Sequence, residues 1–115
     1  MSKQASSDER ATTAGLLTSP LRLAILERLL DGPAIVGELV ETIGAEQAVV
    51  SKQLGILRDA GLIACEPQGR CRSYALTHAR RTRSLIAALD AITEARTPAP
   101  TSDTSPKPSR GAPKR

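Results

Sequence analysis

Apolar residues recur along the chain with two different periods. In the first half the period is helical. Leu21, Ile25 and Leu29 stand beside Leu23, Leu26 and Leu30, a broad arc that predicts a helix from Pro20 to Leu30. Pro20 suits its first turn, where the missing N–H is no loss, and Asp31-Gly32-Pro33 ends it. A shorter helix, Arg10 to Leu17, precedes it. Val36, Leu39, Val40 and Ile43 fall at i, i+3, i+4 and i+7 and predict a third helix that stops at Gly44. After Ala45 and Glu46 a fourth begins, from Gln47 to about Ala60, with Val50, Leu54 and Leu57 facing inward and Gly61 at its end.

Beyond Gly61 the period shortens. LIACEP, a Gln68-Gly69-Arg70 turn and CRSYAL read as a β-hairpin from Leu62 to Leu76. Thr77 is placed to cap a last helix, His78 to about Arg96, which carries Leu85, Ile86, Leu89 and Ile92 as a stripe. Two short helices joined by a tight glycine-containing turn form a helix-turn-helix. Followed by a hairpin and a helix, they give the order of a winged helix. The expected fold is mostly α with a small β-hairpin, a winged helix-turn-helix of order α-α-α-α-β-β-α, assembled as a dimer.

Composition narrows this picture. With 115 residues, 40% of them hydrophobic, the chain can bury one modest core. We expect a flexible N-terminus over 1–8, one domain over 9–96 and a disordered basic tail over 97–115, where Pro, Ser and Thr replace apolar periodicity. Phe and Trp are absent and Tyr74 is the only aromatic residue, so Leu, Ile, Val and Ala must fill the core. The same scarcity argues against binding of single strands, whose bases stack on aromatic platforms.

The net charge of +4 is unevenly spread. Residues 9–51 hold three Arg against six acids, whereas 52–83 hold Lys52, Arg58, Arg70, Arg72, Arg80, Arg81 and Arg83 against Asp59 and Glu66. The tail adds Lys107, Arg110, Lys114 and Arg115. Positive charge therefore gathers in the second half of the domain and in the tail, where a polyanion would sit. Neither a secretion signal nor a membrane span is legible, which points to a cytoplasmic protein with no membrane partner. In that reducing compartment Cys65 and Cys71 are expected as free thiols. One His, no glycine-rich phosphate loop and no clustered nucleophile and base argue against an enzyme.

The segment SPLRLAILERLLDGPAIVGELVETIGAEQAVVSKQLGILRDAGLIACEPQGRCRSYAL resembles the ArsR/SmtB family of bacterial regulators. PLRLAILERLL, VGELVETIG, VSKQLGILRDAGLI and GRCRSYAL carry the resemblance, in the family's order. It implies a homodimer built on the first and last helices, a repressor released from its promoter by a metal or another signal. By position it also implies DNA contacts from Gln47, Ala48, Val49, Ser51 and Lys52 in the recognition helix and from Arg70 and Arg72 in the wing.

Helical geometry supports the same surface. With Val50, Leu54 and Leu57 inward, Ala48, Val49, Ser51, Lys52 and Gly55 point away from the core. Ser51 and Lys52 suit phosphates or base edges, and Ala48 or Val49 suits a thymine methyl. Arg70 and Arg72 flank the hairpin tip, within reach of phosphate or the minor groove. Arg80, Arg81 and Arg83 read as a solvated face. The apolar residues Leu16, Leu17, Leu85, Ile86, Leu89 and Ile92 exceed what a small core can cover, so a second copy is expected on them. That pairing would set two recognition helices about one DNA turn apart, on an inverted repeat.

The sensing half is less legible. The family's metal motif places Cys in the third helix, where this chain has VGELV, and members that bind metal on the last helix use several His, of which this chain has only His78. A thinner candidate for nickel or zinc combines His78 with Asp90 and Glu94, brought together by antiparallel pairing across a dimer. Cys65 and Cys71 are the candidate redox pair, with Arg70 and Arg72 placing positive charge beside Cys71. An even hairpin loop would put the two thiols on opposite faces, and an odd one on the same face. The alternative to a self-contained regulator is a winged-helix interaction module or co-regulator, with a separate sensor protein supplying the signal.

Overall fold

A computed structural model of the chain describes residues 4–96. The basic tail expected from residue 97 lies outside the described residues, as do residues 1–3. Helix α1 spans Ser7–Leu16, starting three residues before the expected Arg10. The cause is a capping box: Ser6 Oγ accepts from the Glu9 N–H at 3.1 Å, and Glu9 Oε1 accepts from the Ser6 N–H at 2.8 Å. Ser7 and Asp8 are thus helical and belong to α1. The Ser-x-x-Glu spacing carried that signal.

Helix α2 spans Pro20–Leu29, with Pro20 in its first turn and the Ser19 hydroxyl accepting from the Arg22 N–H at 3.2 Å. A two-residue strand, β1 (Ala34–Ile35), leads directly into α3 (Val36–Ile43). Glu38 Oε1 accepts from the Ile35 N–H at 3.0 Å and closes the start of α3. Gly44 ends α3 at φ +82°, donating its N–H to Val40 O at 2.8 Å. That left-handed turn delivers the chain into α4 (Gln47–Asp59). Strands β2 (Ile63–Gln68) and β3 (Cys71–Leu76) form the hairpin, and α5 (Ala79–Arg96) completes the fold.

The sheet has the order β1-β3-β2 with both pairings antiparallel, Ala34 opposite Tyr74 and Cys65 opposite the same Tyr74 on its other side. Strand β1 escaped the sequence reading because two residues show no alternation. Thr77 also departs from expectation. Its hydroxyl donates to Gly61 O at 2.7 Å and its N–H to Leu62 O at 3.2 Å, so it pins the end of the hairpin to the α4–β2 connection. Helix α5 therefore starts one residue later than expected, with His78 O accepting its first bond, from the Thr82 N–H at 2.8 Å.

The core is aliphatic as composition required. Ile25, Leu26 and Leu29 of α2 meet Leu39 of α3, Val50, Leu54 and Leu57 of α4, Ile63 of β2 and Tyr74 of β3. Each fully buried Leu or Ile contributes about 1.5–3 kcal/mol. Helix α1 places no residue in this core, and α5 buries only Thr82 and packs Ile86 against the core's edge. The helix-turn-helix and the sheet are thus the rigid centre, with α1 and α5 laid against its outside. Among the described residues no helix is long and apolar enough to cross a membrane.

Candidate nucleic-acid interface

Burial of Val50, Leu54 and Leu57 turns the opposite face of α4 outward. Gln47, Ala48, Val49, Ser51 and Lys52 are all exposed, Val49 to 40%. Gly55, expected on the same face, is half-buried instead. No side chain caps the start of α4 and no acid stands in its first turn. The N-cap residue, Glu46, makes no cap bond, but its exposed carboxylate stands at the positive end of the helix dipole, so contact with an anion falls to the outward side chains of α4.

The wing is tighter than the three-residue turn expected. Gln68 pairs with Cys71, leaving Gly69 and Arg70 as the loop, and Gly69 takes φ +62°. Arg70 and Arg72 are both exposed. Together with Gln47 at the start of α4 they line a groove of about 470 Å³, floored by Ile35, Val36 and Tyr74. The fold thus brings residues more than twenty positions apart in sequence to the two sides of one concavity.

Arg72 Nη1 donates to Cys65 Sγ at 3.7 Å, an interaction that raises the Arg72 pKa. Tyr74 is 8% exposed, and burial, reinforced by the Cys65 side chain, pushes its phenol above the ordinary value of 10.0. The two-residue loop is even, so Cys71 and Cys65 lie on opposite faces of the hairpin. Cys65 is half-buried, Cys71 is exposed, and both are free thiols. The candidate redox residues are therefore present but turned away from one another.

The residues expected at a dimer surface divide. Leu85 and Ile92 are 38% and 61% exposed, while Leu16 and Leu89 are half-buried. Leu17 and Ile86 pack partly on the chain's own core. Between α1 and α5 lies a largely apolar groove of about 520 Å³ lined by Thr13, Ala14, Leu17, Leu23, Leu85 and Leu89.

The candidate metal residues do not meet within one chain. His78 stands just before α5, with Asp90 and Glu94 near its far end, about 18 and 24 Å away along the helix at 1.5 Å per residue. Among the described residues no group of three His, Cys, Asp or Glu side chains could hold a metal.

Two arginines have roles that periodicity did not reveal. Arg83 donates to Leu30 O at 3.1 Å and ties α5 to the end of α2, so it is not simply part of a solvated face. Arg22, half-buried on α2, donates from Nε to Leu16 O at 2.8 Å and from Nη1 to Gln53 Oε1 at 2.9 Å. Nothing in local spacing marks either bond, since the partners are backbone oxygens or lie on another helix.

The family model described as "Bacterial regulatory protein, arsR family" matches residues 19–64, which run from the cap of α2 into β2. The chain is 36% identical over 85 residues to the biofilm growth-associated repressor of Xylella fastidiosa, covering 74% of each chain. It is 46% identical over 66 residues to the HTH-type transcriptional regulator NmtR of Mycobacterium tuberculosis; that match takes in 57% of this chain and spans 55% of that relative's length. The crystal structure of M. tuberculosis Rv0081 superposes with a TM-score of 0.72 at 30% identity, covering 81% of this chain and 93% of that one.

Proposed function

The chain belongs to the ArsR family of bacterial regulatory proteins, and from that premise we propose that it is a transcription repressor that binds duplex DNA as a homodimer. The observation that carries this reading is the groove flanked by Gln47 at the start of α4 and by Arg70 and Arg72 of the wing, beside the exposed face of α4. An α-helix about 10–12 Å across fits a major groove about 12 Å wide. There Ser51 and Lys52 would bond phosphates or base edges, while Ala48 and Val49 offer small apolar contacts to thymine methyls. The wing arginines would grip the flanking backbone or minor groove. Membership of a regulatory family agrees with the absence of enzymatic chemistry in the sequence.

Dimerisation rests on α1 and α5, which contribute almost nothing to the core yet present Leu85 and Ile92 to solvent. A two-fold pairing on that side leaves both α4 faces free for successive turns of DNA. The signal that releases DNA has thinner support. A nickel or zinc site needs His78 of one copy and Asp90 and Glu94 of the other, across an antiparallel α5 pair. Calorimetric titration of the protein and of His78→Ala tests it, and identical heats remove it.

Selection of bound sequences from random duplex DNA tests the main reading. It should return an inverted repeat with half-sites about 10–10.5 base pairs apart, centre to centre. Recovery of unrelated sequences at non-specific affinity would favour the interaction-module alternative, with a partner protein as the ligand of the winged helix.

A further inference from the structure

We infer that Arg22 fixes the separation of the two recognition helices in the dimer, and with it the half-site spacing that the protein accepts. This rests on the DNA-binding dimer proposed above. The residue is unusually well held. Its backbone is anchored by the Ser19 cap behind Pro20, and its guanidinium makes two bonds from different nitrogens to different helices. Nε donates to Leu16 O, the carbonyl of the last residue of α1, where a cation also meets the negative end of the helix dipole. Nη1 donates to Gln53 Oε1, one residue beyond Lys52 on α4.

A guanidinium is a rigid planar fork, so these two bonds set the end of α1 and the second turn of α4 at a fixed offset. An ammonium, a point charge on a flexible stem, cannot hold both directions at once. The constraint matters because α1 places no residue in the core. Of its residues only Leu16 is half-buried, with Leu17 just beyond packed on the core, and the Arg22 bridge adds a directional tie from this end of α1 to α4. Helix α1 belongs to the proposed dimer face and α4 to the DNA face, so the bridge lies on the line of force between them. One base pair of extra spacing demands about 3.4 Å of translation and a tenth of a turn, which a fixed offset rejects.

The test uses the full chain and its selected inverted repeat, with native spacing and with one base pair added or removed, together with a single half-site. Affinities are read by fluorescence anisotropy and the dimer by sedimentation, for the wild type, Arg22→Met, Arg22→Lys and Gln53→Met. The wild type should lose about 30-fold or more on the altered spacings, and Arg22→Met less than about 5-fold, with half-site affinity and dimer constant nearly unchanged. Arg22→Lys and Gln53→Met should behave like Arg22→Met, because each breaks the tie between α1 and α4. Should Arg22→Met fail to fold, Gln53→Met decides. Retention of full spacing discrimination by the folded variants overturns the inference, as does a half-site loss as large as the loss on the full repeat. Absence of specific duplex binding by the wild type overturns the regulator reading and this inference with it.

Discussion

Cys65 and Tyr74 stand directly opposite each other across the β2–β3 ladder, which places Cys71, three residues before Tyr74, on the other face of the hairpin. A disulfide needs Cβ atoms about 3.5–4.5 Å apart and vectors that converge. Mild oxidation followed by non-reducing peptide mapping should therefore return no Cys65–Cys71 linkage. A linked peptide in the folded protein would show that the hairpin register slips.

The same Tyr74 is the chain's only aromatic residue and so reports on the sheet without interference. Burial disfavours its ionised form, so its folded pKa lies above the unfolded one. The neutral phenol contributes stability that is fully present below the unfolded pKa and is lost as pH rises through the folded one. Ultraviolet titration should give a tyrosinate midpoint above 10.0 in the native protein and near 10 in denaturant. Equal midpoints would mean that Tyr74 is solvated.

Gly44 closes α3 at φ +82°, a conformation that L side chains adopt at a cost. Gly44→Ala should destabilise the fold by about 1–2 kcal/mol, read as a lower midpoint in urea with unchanged slope. Space is not the issue, because nothing lies within 4 Å of an added Cβ. An unchanged midpoint would mean that the turn relaxes.

Ile92 is 61% exposed on α5 and takes no part in the core. Ile92→Glu should leave the helical circular dichroism intact while shifting the protein from dimer to monomer in sedimentation at micromolar concentration, through charge at an apolar contact. A variant that stays as dimeric as the wild type would move the interface elsewhere.

The elements with strong periodicity were legible residue by residue. Helix α3 begins at Val36 and α4 at Gln47 as expected, because Val36, Leu39, Val40 and Ile43 bury one face and Gly44 can only end it. What escaped depends on partners remote in sequence. Strand β1 exists only by pairing with β3, and the Thr77 hydroxyl bonds back to Gly61 O, sixteen residues earlier, while α5 opens on His78 O. The exposed α4 face was legible from helical geometry, whereas Arg22 was not. Its two acceptors stand 6 and 31 residues away, and only folding places them around one guanidinium.

Joint gripping of duplex DNA by α4 and the wing would show in the salt dependence of operator affinity in the wild type, Lys52→Ala and Arg70→Ala. The wild-type logarithmic affinity should fall linearly with logarithmic salt. Each variant should bind more weakly, with a slope shallower by about 0.9 for each phosphate that no longer meets a cation. Wild-type affinity and slope retained in both variants would mean that neither α4 nor the wing meets DNA through these residues.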